Sequence, residues 1–182
     1  KYTDGTIIPQ VTDPTQWNGL TTGAWCYMNN DPINGQIYGK LYNWYAVNDP
    51  RGLAPAGWHI PTEKEWQDLI FCLDPNTPLN NYDTNTAGGK MKEMGTSHWA
   101  NPNNSATNSS GWNALPGGFR DIDGWFSNPQ YYPLNYEGLW WTSKLQDNNP
   151  QSTIAVGFGL YYNGAGVIEN GGGIFKKGDS VR

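Results

Sequence analysis

The most regular alternation of apolar and polar positions lies between Gly57 and Leu73. Trp66, Leu69, Ile70 and Leu73 recur at i, i+3, i+4 and i+7, the single stripe of an amphipathic helix. Thr62 precedes the stripe and Glu65 follows three residues later. That spacing lets the Thr hydroxyl accept from the Glu65 N–H while the Glu65 carboxylate reaches back to the Thr62 N–H. Asp74-Pro75 closes the segment. A helix is therefore predicted to begin at Thr62, with a strand-like piece, Trp58–Ile60, before it. Leu41, Trp44 and Tyr45 share helical spacing within 37–47 and predict a short helix. Another is expected around Gly89–Met94, with Met91 and Met94 on one side.

Long elements do not fit elsewhere. The first fifty residues are punctuated by Asp4-Gly5, Asp13-Pro14, Asn18-Gly19, Asp31-Pro32, Asn34-Gly35 and Asp49-Pro50. Residues 101–113 carry almost no apolar side chain and read as an exposed loop. Past Phe119, the pieces Gly138–Ser143, Ile154–Leu160, Ala165–Glu169 and Gly172–Lys176 are separated by Gly and Asn, which predicts an antiparallel meander. The expectation from the pattern is one domain over residues 1–182, with short helices in its first half and an antiparallel meander in its last third.

Composition changes what the core is made of. Leu, Ile, Val and Phe supply only 31 of 182 residues, whereas Trp and Tyr number 10 and 11. Large rings must then do much of the burying, and Trp44, Trp58, Trp66 and at least one of Trp140 and Trp141 are expected inside. With 23 Gly and 21 Asn, turns needing positive φ should be frequent, which argues against a helix bundle.

A net charge of −5 with 11 Lys plus Arg offers no basic surface for nucleic acid, and no apolar run is long enough to span a membrane as a helix. Cys26 and Cys72 could form one bridge or none, and neither lies in a C-x-x-C pair. Low charge with abundant Asn and Tyr suits an extracellular or cell-surface domain.

The candidate chemistry points to binding rather than catalysis. Asp121-Ile-Asp-Gly124 opens like a calcium loop, with Asp121 and Asp123 as oxygen ligands. The position twelve on from Asp121 is Tyr132 where an EF-hand needs Glu, so a turn with an Asx contact competes with a calcium site. His59 and His98 are the only histidines and stand apart from each other and from Cys. Neither a Gly-x-Ser-x-Gly elbow nor a phosphate-cradling Gly-rich loop is present. The last third, in contrast, gathers rings and amides at strand ends. Trp125, Tyr131, Tyr132, Lys144, Asp147, Tyr161, Tyr162, Asn163 and Asn170 form the candidate ligand-binding set, Tyr and Asn combining rigid amphipathic area with adaptable hydrogen bonds.

The stretches "KYTDGTIIPQVTD", "TTGAWCYMNND", "YGKLYNWYAV", "PAGWHIPTEKEW", "GGKMKEMGTSHW", "NALPGGFRD", "LWWTSK" and "GDSVR" resemble the Fibrobacter succinogenes major paralogous domain, over nearly the whole chain. That resemblance implies an α+β, C-type-lectin-like fold, two helices packed on a small twisted antiparallel sheet with long loops, on secreted or surface bacterial proteins. It also implies a cysteine where this chain has Ala54, another just past a Ser-Val-Arg ending, and an extra Trp-containing segment upstream of Lys1. The upstream segment is expected to be trimmed, or its strand supplied by a neighbouring subunit. In related lectin-like proteins the diversified residues lie in the C-terminal third, and residues 144–173 have that character. The leading expectation is a non-enzymatic surface module binding a glycan or protein without a required cofactor. The alternative is a homo-oligomeric filament subunit with strand donation between copies. An oxidase or hydrolase of the formylglycine-generating type would need reactive cysteines in the C-terminal half, and both cysteines lie before residue 73.

Overall fold

The computed structural model describes residues 1–78, 84–126, 134–145, 154–174 and 178–181, with backbone only for 170–174. Among these, five helices and two small antiparallel three-stranded sheets make a mixed α/β architecture. The predicted long helix is α4, Glu63–Leu73, and its capping box is complete. Thr62 Oγ1 accepts from the Glu65 N–H at 3.2 Å, and the Glu65 carboxylate accepts from the Thr62 N–H at 2.8 Å. Trp66 and Ile70 are fully buried while Leu69 and Leu73 pack at the margin, as the stripe requires.

Before α4 come three short helices and two strands: α1 (Pro14–Asn18), β1 (Trp25–Cys26), α2 (Pro32–Tyr38), β2 (Leu41–Asn43) and α3 (Trp44–Val47). The single helix expected within 37–47 is thus broken. Gly39 at φ +83° stops α2, and Leu41–Asn43 then pairs in a sheet. Asn43 restarts the helix. Its side chain accepts from the N–H of Ala46 at 3.1 Å and of Ala24 at 2.9 Å, capping α3 and tying it to the approach to β1. After α4, α5 is only Ala87–Met91, since Lys92 turns extended and bridges Ala114. Met91 is therefore buried and Met94 exposed, rather than both on one helical face.

The meander forms as expected. β3 (Glu137–Leu145), β4 (Ile154–Tyr161) and β5 (Val167–Ile174) pair in sequence order, with Glu137 opposite Tyr161 and Leu160 opposite Val167. The two final strands read from the sequence are one continuous strand up to Ile174. A register shift opposite Ala155 and Val156 absorbs the extra glycine. The second sheet, β1-β2-β6, uses β6 at Gly178–Asp179. Ser180 then joins the two sheets, donating to Leu139 and accepting from the Trp141 N–H, both at 3.0 Å. The outer edge of β1 is covered by the chain's own Pro9–Val11: the Trp25 N–H donates to Pro9 and the Val11 N–H to Trp25.

Rings do fill the interior. Trp66 stacks on Phe158 at 4.9 Å, and Trp17, Trp44, Trp99, Trp140 and Trp141 are all buried. Both members of the Trp140-Trp141 pair are inside because the sheet is covered on two sides. Trp140 packs with the α4 cluster and Trp141 with Trp44. Trp58 corrects the expectation. Residues 58–60 form no strand, and the Trp58 side chain is 77% exposed. Gly57 at φ +84° and a turn closed by the Trp58 N–H to Pro55 carry the chain away from any pairing edge.

Candidate binding site

The candidate residues of the last third fall into separate places. Tyr161, Tyr162 and Asn163 form the turn between β4 and β5, and this is the one described location that brings several of them together. The Tyr162 N–H donates to Tyr136 at 2.8 Å, and the two rings lie 4.3 Å apart. Tyr161 and Tyr162 are half-buried, while Asn163 is exposed.

Beneath the turn sits Lys92, fully buried. Its ammonium donates to the carbonyls of Tyr161 at 2.9 Å and Gly164 at 2.8 Å. Asn104 takes the two carbonyls between them, its N–H donating to Tyr162 at 2.8 Å and its side-chain amide to Asn163 at 2.7 Å. All four carbonyls from 161 to 164 are thus held from the protein side. Burial, with no carboxylate paired to it among the described residues, draws the Lys92 pKa down from 10.5 to about 8. Close approach by α5 completes the support: a Cβ on Gly88 would stand 2.2 Å from the Gly166 carbonyl oxygen.

Trp125 occupies a different surface, in a hairpin beside α1. The Asp121-Ile-Asp-Gly124 segment is a turn in which Asp123 Oδ1 accepts from the Trp125 N–H at 2.9 Å and Asp121 Oδ1 from the Ile122 N–H at 2.7 Å. No group of three or more His, Cys, Asp and Glu side chains gathers around these carboxylates or elsewhere among the described residues. Arg120, buried, fastens the hairpin. Its guanidinium donates to Gly124 at 2.7 Å, Val11 at 2.6 Å and Thr12 at 2.9 Å, and lies 4.4 Å over Trp17. Trp125 itself is 63% exposed.

Lys144 lies toward the far end of β3, about 20 Å from the turn by strand rise, and is paired with Glu63 at the start of α4. Asn170 stands in β5 opposite Gly157, and its side chain lies outside the description. Tyr131, Tyr132 and Asp147 lie outside the described residues.

The cysteines are unpaired. Cys26 is buried and its thiol pushed up to about 11 by desolvation, which keeps it protonated and unreactive at neutral pH, and Cys72 is exposed. Three features went unread in the sequence: the cleft beside exposed Trp58, and the roles of Lys92 and Asn104. The only local hint of Lys92 is its position after Gly88-Gly89, small residues that admit another part of the chain.

The family model of the Fibrobacter succinogenes major domain matches residues 1–177. No curated protein and no solved structure matches the chain.

Proposed function

The chain belongs to the Fibrobacter succinogenes major domain family, and on that premise we propose that it is a non-enzymatic, surface-exposed bacterial binding module whose contact surface is the β4–β5 turn. The reading rests on the four carbonyls of residues 161–164 being bonded by Lys92 and Asn104. A turn fixed in this way has already lost its conformational freedom on folding, so a ligand need not order it. What it offers is suited to binding: two half-buried tyrosine rings and an exposed amide. The rings would lie against a sugar face or an apolar protein patch while Asn163 bonds hydroxyls or main-chain groups. The same reading takes the fold as C-type-lectin-like, a view supported by the helix-backed meander and the long irregular connections. An extracellular setting fits the low charge of the chain. The filament alternative, with a neighbour's strand completing the N-terminal position, meets an edge that Pro9–Val11 already fills.

The test is a glycan array, with immobilised surface proteins alongside, probed with the wild type and a Tyr161→Ala/Asn163→Ala variant. These positions are preferred to Tyr162, whose ring packs on the core. The variant should lose the wild-type signals with its melting temperature nearly unchanged. Unaltered signals would remove the turn from the site.

A further inference from the structure

Trp58 presents the largest exposed aromatic surface of the described residues, and it stands between two clefts. One, of about 350 Å³, runs from Trp58 past His59 and Glu65 to Trp66 and Trp112. The other, of about 450 Å³, shares Trp58 and His59 and continues over Leu53 and Tyr42 to Val181. Each is within the usual size range of small-ligand sites.

The polar groups of the first cleft are few and firmly placed. Glu65 Oε2 is engaged by Thr62 in the α4 cap, and Glu65 Oε1 lies 2.7 Å from His59 Nε2. The bonds from Thr62, backbone first, and then from His59 hold the Glu65 carboxyl below its ordinary pKa, so it is a carboxylate. A neutral His59 therefore donates through Nε2 and leaves Nδ1 as an acceptor. Trp66 lines the cleft as an apolar wall, its indole N–H being closed off from solvent.

We propose that this aromatic cleft binds a neutral oligosaccharide, with Trp58 as the platform on which a pyranose ring stacks. A single acceptor among apolar rings, with no free charge, favours a polyol over other occupants. A hydroxyl can give a hydrogen bond to His59 Nδ1 while the C–H face of its ring lies on the Trp58 indole, whereas a proline-rich peptide brings carbonyls alone and would leave the histidine unmatched. Among the described residues the cleft's one carboxylate is already engaged by Thr62 and His59, leaving no free charge for an ionic ligand. Clefts on both sides of one indole suit a chain of several sugar units rather than a single ring. The site shares no residue with the β4–β5 turn, so the two can fail separately.

The experiment is intrinsic tryptophan fluorescence and calorimetric titration with cellohexaose, xylohexaose, laminarihexaose and mannohexaose, and with a decaproline peptide as the competing class. Wild type, Trp58→Ala, His59→Ala and Asn163→Ala are compared. At least one hexaose should bind the wild type and weaken by about tenfold or more in Trp58→Ala. A smaller loss is expected in His59→Ala and none in Asn163→Ala. Because Trp58 is exposed, its variant should fold, which a melting curve verifies. Undiminished binding in Trp58→Ala, binding of decaproline in preference to every hexaose, or no binding of any hexaose would overturn the proposal. Loss only in Asn163→Ala would also overturn it while favouring the turn as the site.

Discussion

Two surface regions of this domain are each fastened by a buried cation that bonds main-chain carbonyls, and the two cations differ in a way that matters. Arg120 fixes the hairpin bearing Trp125 by reaching three carbonyls and lying over Trp17. Lys92 fixes the β4–β5 turn by reaching two. The guanidinium stays charged at any ordinary pH, and its planar fork suits several acceptors at once. The ammonium has had its pKa drawn down to about 8 and can lose its proton within the working range of many experiments. Two irregular regions with similar outward features thus have different sensitivities. One clamp is permanent and the other titrates.

Removing the permanent clamp should have the largest effect. Arg120→Met leaves the carbonyls of Val11 and Gly124 without that donor, while Thr12 keeps the Asn30 side-chain amide, and acceptors left unbonded away from water cost roughly 1–3 kcal/mol each. A loss of about 3–5 kcal/mol is expected, read as a fall in the urea midpoint with unchanged slope. Arg120→Lys should recover only part of it, since a single ammonium cannot reproduce the fork. Gly124→Ala in the same hairpin comes next. Its φ of +85° disfavours a side chain, and the new Cβ would stand 2.1 Å from the Pro14 carbonyl oxygen, so about 2 kcal/mol or more should be lost.

Lys92 gives a smaller effect with a defined pH signature. The folded chain holds this proton with a pKa of about 8 and the unfolded chain near 10.5. Between those values the unfolded state carries more protons, so this group makes stability rise with pH. Tyr2, Tyr38, Tyr42 and Cys26, all raised chiefly by burial, act in the opposite sense over the alkaline range. The contribution is therefore isolated as wild type minus Lys92→Met. That difference should move in favour of the wild type from pH 8 to 10.5 and stay flat below pH 7. A flat difference throughout would mean that the folded chain holds the Lys92 proton as tightly as the unfolded one, as a well-hydrated ammonium would. The smallest effect belongs to Gly164→Ala in the turn, where the nearest atom to a new Cβ is 4.0 Å away, and a change within about 0.5 kcal/mol is expected.

What could be read from the sequence was local. The Thr62–Glu65 capping box and the Trp66–Leu73 stripe specify α4 within a dozen residues, and the β3, β4 and β5 patterns lie close enough in sequence to pair consecutively. Trp58 was misread because Trp-His-Ile has the composition of a strand, and only the absence of a pairing partner, a tertiary fact, exposes it. The two cations were unreadable for the same reason. Lys92 meets carbonyls about seventy residues away and Arg120 about one hundred and ten, so no nearby residue reports that either is buried. The candidate tyrosines at 161 and 162 were legible as lying at a strand end. The support beneath them was not, because Asn103-Asn104 looks like any polar loop.

The most direct test of the account is amide hydrogen exchange in the wild type and Lys92→Met at pH 7, followed at the Tyr162 N–H, which donates to Tyr136, and the Asn104 N–H, which donates to Tyr162. If the buried cation holds the turn, both amides are strongly protected in the wild type and exchange on the order of 100-fold faster in the variant, while amides inside α4 change only with global stability. Equal protection of the turn amides in both proteins would contradict the claim that Lys92 presents this surface.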